Sequence, residues 1–295
     1  MDIYRRTNTH AHQHEYQQGE YPQRQARSSA NTQPQIPQHR SAIDQEQLHQ
    51  YTQATLAKHQ HIQGAAQELN LNYSMPFDQD NFQKLIYQKF PEVLNAVPSE
   101  ERDAGICLGL SMVWLKQRLQ GKNDNEFHQA ILNPEHDAAL LQVLAAQHVE
   151  QGNVPAELPP NAISETVAPA LGLQLIPASR TQISQTIPIT PMAHFAESLE
   201  QAIQQPRPQQ GLLLLTDHHA TALFRDSQNA LHFFDPNCGV ISSPAENRIY
   251  LYAMMSNLME NTTPNKSNNV YLTEMQSPSK PIFQERSLHT LRLAK

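Results

Sequence analysis

The sequence predicts an α+β domain, with helices in its first half and antiparallel strands in its second, behind a polar leading segment and ahead of a short tail. Three observations predict it. Residues 1–68 are rich in Gln and His and nearly free of large aliphatics, so they bury too little apolar surface to offset the entropy of ordering. From Met75 onward apolar residues recur at helical spacing. After Gly211 they gather into short runs separated by turn residues, which adds a sheet to the helices. The boundaries are then 1–68 for a disordered polar segment, 69–280 for the folded domain and 281–295 for a tail.

Within the polar segment, Leu48, Leu56, Ile62 and Leu69 leave room for one short helix over Asp44 to Leu69. Asp80 to Phe90 reads as a helix that stops before Pro91. Ile106 to Leu115 is apolar nearly all round, turns polar in KQRLQG and ends at Gly121, so its first half is expected to be buried from every side. Pro134 to Val149 and Ala162 to Ala170 are further helical stretches, and Leu171 to Ile176 is a strand. Thr190 and Pro191 make a cap and first turn for a helix over MAHFAESLEQAIQ. Strands follow at Gly211 to Thr216, His219 to Phe224, Leu231 to Asp235 and Val270 to Met275, with a helix from Ala245 to Met259 between the last two.

Composition removes several function classes. A net charge of -7 and a pI near 6.1 give no electrostatic reason for a nucleic-acid partner. Two cysteines, Cys107 and Cys238, are too few for a disulfide-stapled scaffold. The N-terminus has no apolar core of a cleavable signal peptide, and no run reaches the roughly 18 apolar residues of a membrane span. His10, His12 and His14 alternate as weak metal ligands do, but a polar tail explains them more simply. No other His, Cys or Asp cluster has zinc spacing, and no cofactor is expected.

The chemistry concentrates in three residues. Cys107 stands two residues after Gly105 at the start of the buried helix. There the helix dipole and unpaired backbone N–H groups favour a thiolate and can hold an oxyanion. Alone, such a cysteine is more often a small core residue. His219 and Asp235 lie on strands joined by RDSQNA, which has turn composition. Centring the turn on Ser227 sets the two directly opposite, with Cβ atoms about 4.5–5.5 Å apart. A one-residue slip would turn one of them to the other face. A His beside an Asp is an oriented general base; without Cys107 this His would read as an ordinary surface or core histidine.

Gly105-x-Cys107-x-Gly109-Leu110-Ser111-x-x-Trp114-Leu115, His219-Ala220-x-Ala222 and Phe234-Asp235-Pro236-Asn237-x-Gly239 together resemble the three signature blocks of the YopT/AvrPphB family of bacterial effector cysteine proteases, over roughly Arg102 to Met275. The resemblance implies a papain-like fold, a helical N-terminal half with a central nucleophile helix packed on an antiparallel sheet. It implies a catalytic triad of Cys107, His219 and Asp235. It also implies delivery into a host cell, commonly by type III secretion, and cleavage of a host signalling protein such as a small GTPase or kinase. The polar N-terminal segment would suit a secretion signal and a chaperone site.

Two departures stand out. Papain-like enzymes often draw an oxyanion donor from an Asn or Gln five or six residues before the cysteine. Here Arg102 and Glu101 stand there; Arg102 can donate alongside the backbone of Cys107, whereas ionised Glu101 cannot. Gly64 to Leu69 lacks the Ser or Thr of an acylation site, so autoprocessing with acylation is not expected. Among other residues, His218 reads as structural, Asp217 as the weaker alternative acid, Trp114 as core, Asn237 as a turn former and Cys238 as inert. Two rivals keep the same residues: a deamidase or acyltransferase using the triad, and an inactive papain-like binding module.

Overall fold

The long central strands of the sheet carry apolar residues to both faces, which is why they lie between two helical layers. The computed structural model describes residues 43, 45–89, 91, 105–132, 139–140, 142–143, 146, 167–169, 171–175, 186–203, 209–216, 219–262 and 268–276, all within the unit Pro34–Lys295. In chain order the elements are α1 (Gln45–Glu68), β1 (Asn72–Pro76), α2 (Gln79–Lys89), α3 (Cys107–Leu119), α4 (Asp124–Leu132), β2 (Gln174–Leu175), β3 (Thr186–Pro188), α5 (Met192–Ile203), β4 (Gln210–Leu215), β5 (Ala220–Arg225), β6 (Leu231–Asp235), β7 (Gly239–Ser243), α6 (Arg248–Thr262) and β8 (Asn269–Gln276). The sheet has eight strands in the order β1-β7-β6-β5-β4-β8-β2, with β3 also on β8, and every pairing is antiparallel. The expected class, helices on an antiparallel sheet, is the class observed.

Strand alternation sorts the core into two halves. Leu213, Leu215, Ala222, Phe224, Phe234 and Val240 join the first with Phe82, Leu110, Trp114 and Phe127. Leu212, Leu214, Leu223, Phe233 and Ile241 join the second with Phe195, Leu199, Leu251 and Met255. Helix α3 packs on β4, β5, β6 and β8, and its residues from Leu108 to Leu115 are all buried, as its all-round apolar sequence requires.

Residues 45–68, which the sequence places in the polar segment, form α1 and pack on the domain through Tyr51, Thr55, His59, Ile62 and Ala66. Two of the five are polar, so the buried stripe has weak apolar periodicity; Leu48 packs half-buried against the first part of the core and Leu69, just past the helix, against the second. The helix expected over Asp44 to Leu69 is observed as α1, whereas helix α4 and strands β1, β3 and β7 escape the sequence reading. Helix α4 is fixed by a reciprocal cap: Asn123 Oδ1 accepts from the Glu126 N–H at 3.0 Å and Glu126 Oε2 from the Asn123 N–H at 2.7 Å, which satisfies two helix-end donors.

His128 on α4 lies 6.4 Å from the ring of Tyr51 and 6.3 Å from that of Phe77. Burial lowers its pKa to about 4. The unfolded chain takes up this proton near the ordinary 6.5, the folded chain only near 4. The stability is therefore full above 6.5 and is lost as pH falls through that window. His128→Phe is expected to remove about 1–2 kcal/mol of the acid loss. Urea midpoints at pH 7 and pH 4.5 measure it, and an unchanged difference between the two would count against it.

Candidate active site

Cys107 is the first residue of α3; its neighbour Ile106 stands at the N-cap without a side-chain cap bond. The helix is tied to the sheet beside the histidine, because Ser111 Oγ donates to the Ala220 carbonyl at 2.9 Å. Ala220 follows His219 directly, so one hydrogen bond couples the second turn of α3 to the start of β5. Gly109 permits this helix to lie close to its neighbours: a Cβ there would sit 2.2 Å from the Val143 carbonyl oxygen.

His219 is anchored at the β4–β5 turn, its N–H donating to Thr216 Oγ1 at 3.1 Å. Its ring is almost wholly buried. Ring Nε2 lies 2.8 Å from Asp235 Oδ1, and Cys107 is near enough to the ring to favour its charged form. Asp235 itself is 1% exposed and accepts from the Asn237 N–H at 2.8 Å. Burial of the imidazole opposes its charging, but the charge and hydrogen bond of Asp235, joined by Cys107, outweigh it and raise the His219 pKa to about 10. With Nε2 engaged by the acid, Nδ1 is the nitrogen left for the thiol.

The hairpin register differs from the expected one. Ala222 pairs with Phe234 and Arg225 with Leu231, so continuing the ladder sets Asn237 across from His219, with Asp235 two residues to the side. The turn centres on Gln228, not Ser227. Asn229 adopts φ 71°, and Asp226 Oδ1 accepts from the N–H groups of Gln228 and Ala230, both at 2.9 Å. The three-residue loop 227–229, which holds a left-handed Asn, is centred one residue further along than the sequence reading assumed. The shift moves partners by two, the strand period, so His219 and Asp235 still share a face.

Two residues the sequence reading did not place at the site are there. Asn237 Nδ2 lies 3.5 Å from His219 Nε2, and Asn237 Oδ1 accepts from Gln79 Nε2 at 2.6 Å. The turn that carries Asn237 is gripped from the β1–α2 junction, with the Gln79 N–H donating to the Pro236 carbonyl at 2.8 Å and the Phe77 N–H to the Cys238 carbonyl at 3.3 Å. Asp78 caps α2 through the Asn81 N–H at 3.0 Å and pairs with Lys58. Phe234, just before Asp235, is held by Trp114 stacked at 5.4 Å, Phe127 at 5.6 Å and Phe77 at 5.9 Å, so Trp114 is core. Cys238 is buried, and burial with the nearby Asp235 charge pushes its thiol pKa well up, which leaves it inert. Arg102, Glu101, Asp217, His218 and the His10, His12 and His14 run lie outside the described residues.

Among the described residues no group of His, Cys, Asp or Glu could hold a metal, and no helix is long and apolar enough to cross a membrane. A cysteine that opens a helix, with a histidine just before one strand and an acid at the end of its neighbour, supplies the residue types that thiol acyl transfer uses. Residues 177–278 match the model of a peptidase family described as Yersinia/Haemophilus virulence surface antigen. The resemblance read from the motifs is thereby shown over a stretch that contains His219 and Asp235 and excludes Cys107. The Pseudomonas avirulence protein AvrPphB is similar in structure, with TM-score 0.45 at 19% identity over 58% of this chain and 91% of that one. PatoxP, a cysteine protease-like domain of the Photorhabdus asymbiotica toxin PaTox, gives TM-score 0.38 at 13% identity over 76% of this chain and 60% of that one. No curated protein matches the chain.

Proposed function

We propose that the chain is a papain-like cysteine protease, an effector that enters host cells and cuts a host protein, with Cys107 as nucleophile, His219 as general base and acid, and Asp235 as the orienting group. The observation that carries this reading is the His219 ring, bound on Nε2 by Asp235 at 2.8 Å, with Cys107 near enough to favour its charged form. His219 takes the proton of Cys107, and the thiolate attacks a peptide carbonyl. The imidazolium, kept charged by Asp235, then protonates the leaving amine. Water deprotonated by His219 resolves the thioester. Cys107 is partly exposed while His219 and Asp235 are buried, which leaves the sulfur open to substrate and shields the pair that tunes it. The family match supports a host protein as substrate, and the polar leading segment suits secretion and a chaperone.

Expression of the full chain beside Cys107→Ala in host cells, followed by mass spectrometry of new protein N-termini, tests the reading. New termini are expected with the wild type alone. Equal sets in both would refute proteolysis, and a mass change without chain cleavage would move the same residues to deamidation or acyl transfer.

A further inference from the structure

The large apolar side chains that stand exposed among the described residues gather at one place. Met192 is 38% exposed, Ile249 49% and Tyr250 47%. Met192 opens α5, while Ile249 and Tyr250 belong to the first turn of α6, and the two helices pack on each other. Between them runs a groove of about 490 Å³, lined by Met192, Ile249 and the small side chains of Ala193, Ala196 and Ala245. Single apolar residues are ordinary on a surface, but a gathered set over a groove marks a binding face. Both helices belong to the second half of the core and α3 to the first, so the groove and Cys107 lie on opposite faces of the sheet.

The rim of the groove is acidic. Glu200 is committed within the fold, accepting from Arg248 Nη1 at 3.0 Å and from the Tyr252 hydroxyl at 2.6 Å. Glu197 and Glu246 also line the groove; they are exposed and form no ion pair among the described residues. Apolar side chains between two free carboxylates call for an occupant that is both apolar and basic. A second copy seated face to face brings carboxylates against carboxylates, and an anionic membrane repels them.

The chain carries such an occupant itself. Strand β8 closes at Gln276, and residues 277–295 follow with the sequence SPSKPIFQERSLHTLRLAK. They hold Ile282, Phe283, Leu288, Leu291 and Leu293, with Lys280, Arg286, Arg292 and Lys295 against one acid, Glu285. Met275, next to the end of β8, pairs with Gly211, and Gln210 Nε2 donates to the Ala202 carbonyl of α5 at 3.0 Å. The segment thus leaves the sheet beside the helix that forms one wall. Residues 277–281, if extended, span at most about 18 Å, more than a helix diameter of about 10–12 Å, so Ile282 and Phe283 come within reach of α5.

We infer that residues 277–295 dock in the groove between α5 and α6, with their apolar side chains against Met192 and Ile249 and their basic ones against Glu197 and Glu246. Tethering holds the segment at an effective concentration on the order of 1 mM, so a weak contact suffices. A basic, apolar segment of another protein has to displace it to use the same face. The inference stands independently of the protease reading.

Hydrogen peroxide oxidation of the full-length protein, followed methionine by methionine with mass spectrometry, reads the cover over Met192. Buried Met112 and Met255 report any unfolding. The combined variant Lys280→Glu, Arg286→Glu, Arg292→Glu and Lys295→Glu is expected to oxidise at Met192 about fivefold faster, the gain from releasing a segment tethered at millimolar concentration over a weak site. Adding Glu197→Lys and Glu246→Lys should restore the protection. Carbodiimide coupling in an equal mixture of light and heavy isotope-labelled wild-type chains shows whose segment it is. Links from Glu197 or Glu246 to Lys280 or Lys295 are expected within one chain. Links that join light to heavy chains would assign the groove to a second copy and overturn the inference. Equal Met192 oxidation in the wild type and the first variant would overturn it too, leaving the face to another protein. Faster oxidation that the added lysines do not reverse would place the segment elsewhere and overturn it as well.

Discussion

Replacing His219 with Ala is expected to lower acyl transfer at Cys107 by about 10²–10⁴-fold, the range that a positioned general acid–base supplies. Iodoacetamide alkylation at pH 7 should also fall, by roughly tenfold, because an unassisted thiol is only a few per cent thiolate there. The pH dependence carries the sharper signature. The folded pKa of His219, about 10, lies above the ordinary 6.5, so the folded chain holds this proton more tightly than the unfolded chain. The resulting stability is complete below about 6.5 and is lost as pH rises through about 10. The wild type should therefore lose stability on alkaline titration where His219→Ala does not. The variant also leaves the Asp235 carboxylate buried with the Asn237 N–H as its hydrogen-bond donor. Removing one partner of such a pair costs about 3–5 kcal/mol. His219→Gln restores an N–H near the carboxylate and should recover part of that stability with none of the transfer. Transfer and alkylation rates equal to those of the wild type would end the role given to His219.

What was legible in the chain tracks how locally each feature is encoded. The buried helix at Cys107 and strands β4, β5, β6 and β8 are continuous or alternating apolar runs, and their order was readable. Strands β1 and β7 are short, and NYSMP and GVISS look like loops until they pair with each other and with β6. Helix α1 hides its buried face behind Thr55 and His59. At the candidate site, Cys107, His219 and Asp235 were singled out because they fall in three recognisable blocks. The pairing between His219 and Asp235 was misplaced by two residues, since the centre of the turn is set by one left-handed Asn. Gln79 was invisible for a different reason. It reaches the site through the packing of the β1–α2 junction under the Pro236–Asn237 turn, and nothing near it in sequence announces that contact. The neighbour of Asp78 could have been suspected only once that Asp was read as the cap of α2.

The turn that presents Asp235 and Asn237 also carries the position where substitution should do the most structural harm. Gly239 has φ 105°, and a Cβ there would lie 1.8 Å from the Met75 carbonyl oxygen and 2.7 Å from the Phe77 N. Both obstacles are backbone of β1 and the segment after it, so no side chain can swing aside. Relief would require β1 to part from β7, where Pro76 pairs with Gly239 itself, and would release the bonds from Gln79 and Phe77 that grip the turn. Gly239→Ala is thus expected to cost more than about 4 kcal/mol, beyond the range of ordinary point substitutions. Gly121→Ala separates the causes: Gly121 has φ 86° but nothing within 4 Å of its would-be Cβ, so it should lose only about 1 kcal/mol from backbone strain. Urea unfolding of the two variants measures the difference. If Gly239→Ala loses no more than Gly121→Ala, the clash with β1 is relieved without cost and the turn is not held by that strand. If it loses several times more while Cys107 still alkylates in the surviving folded fraction, the helix-borne thiol is independent of the turn and only the acid and amide side of the site depends on β1.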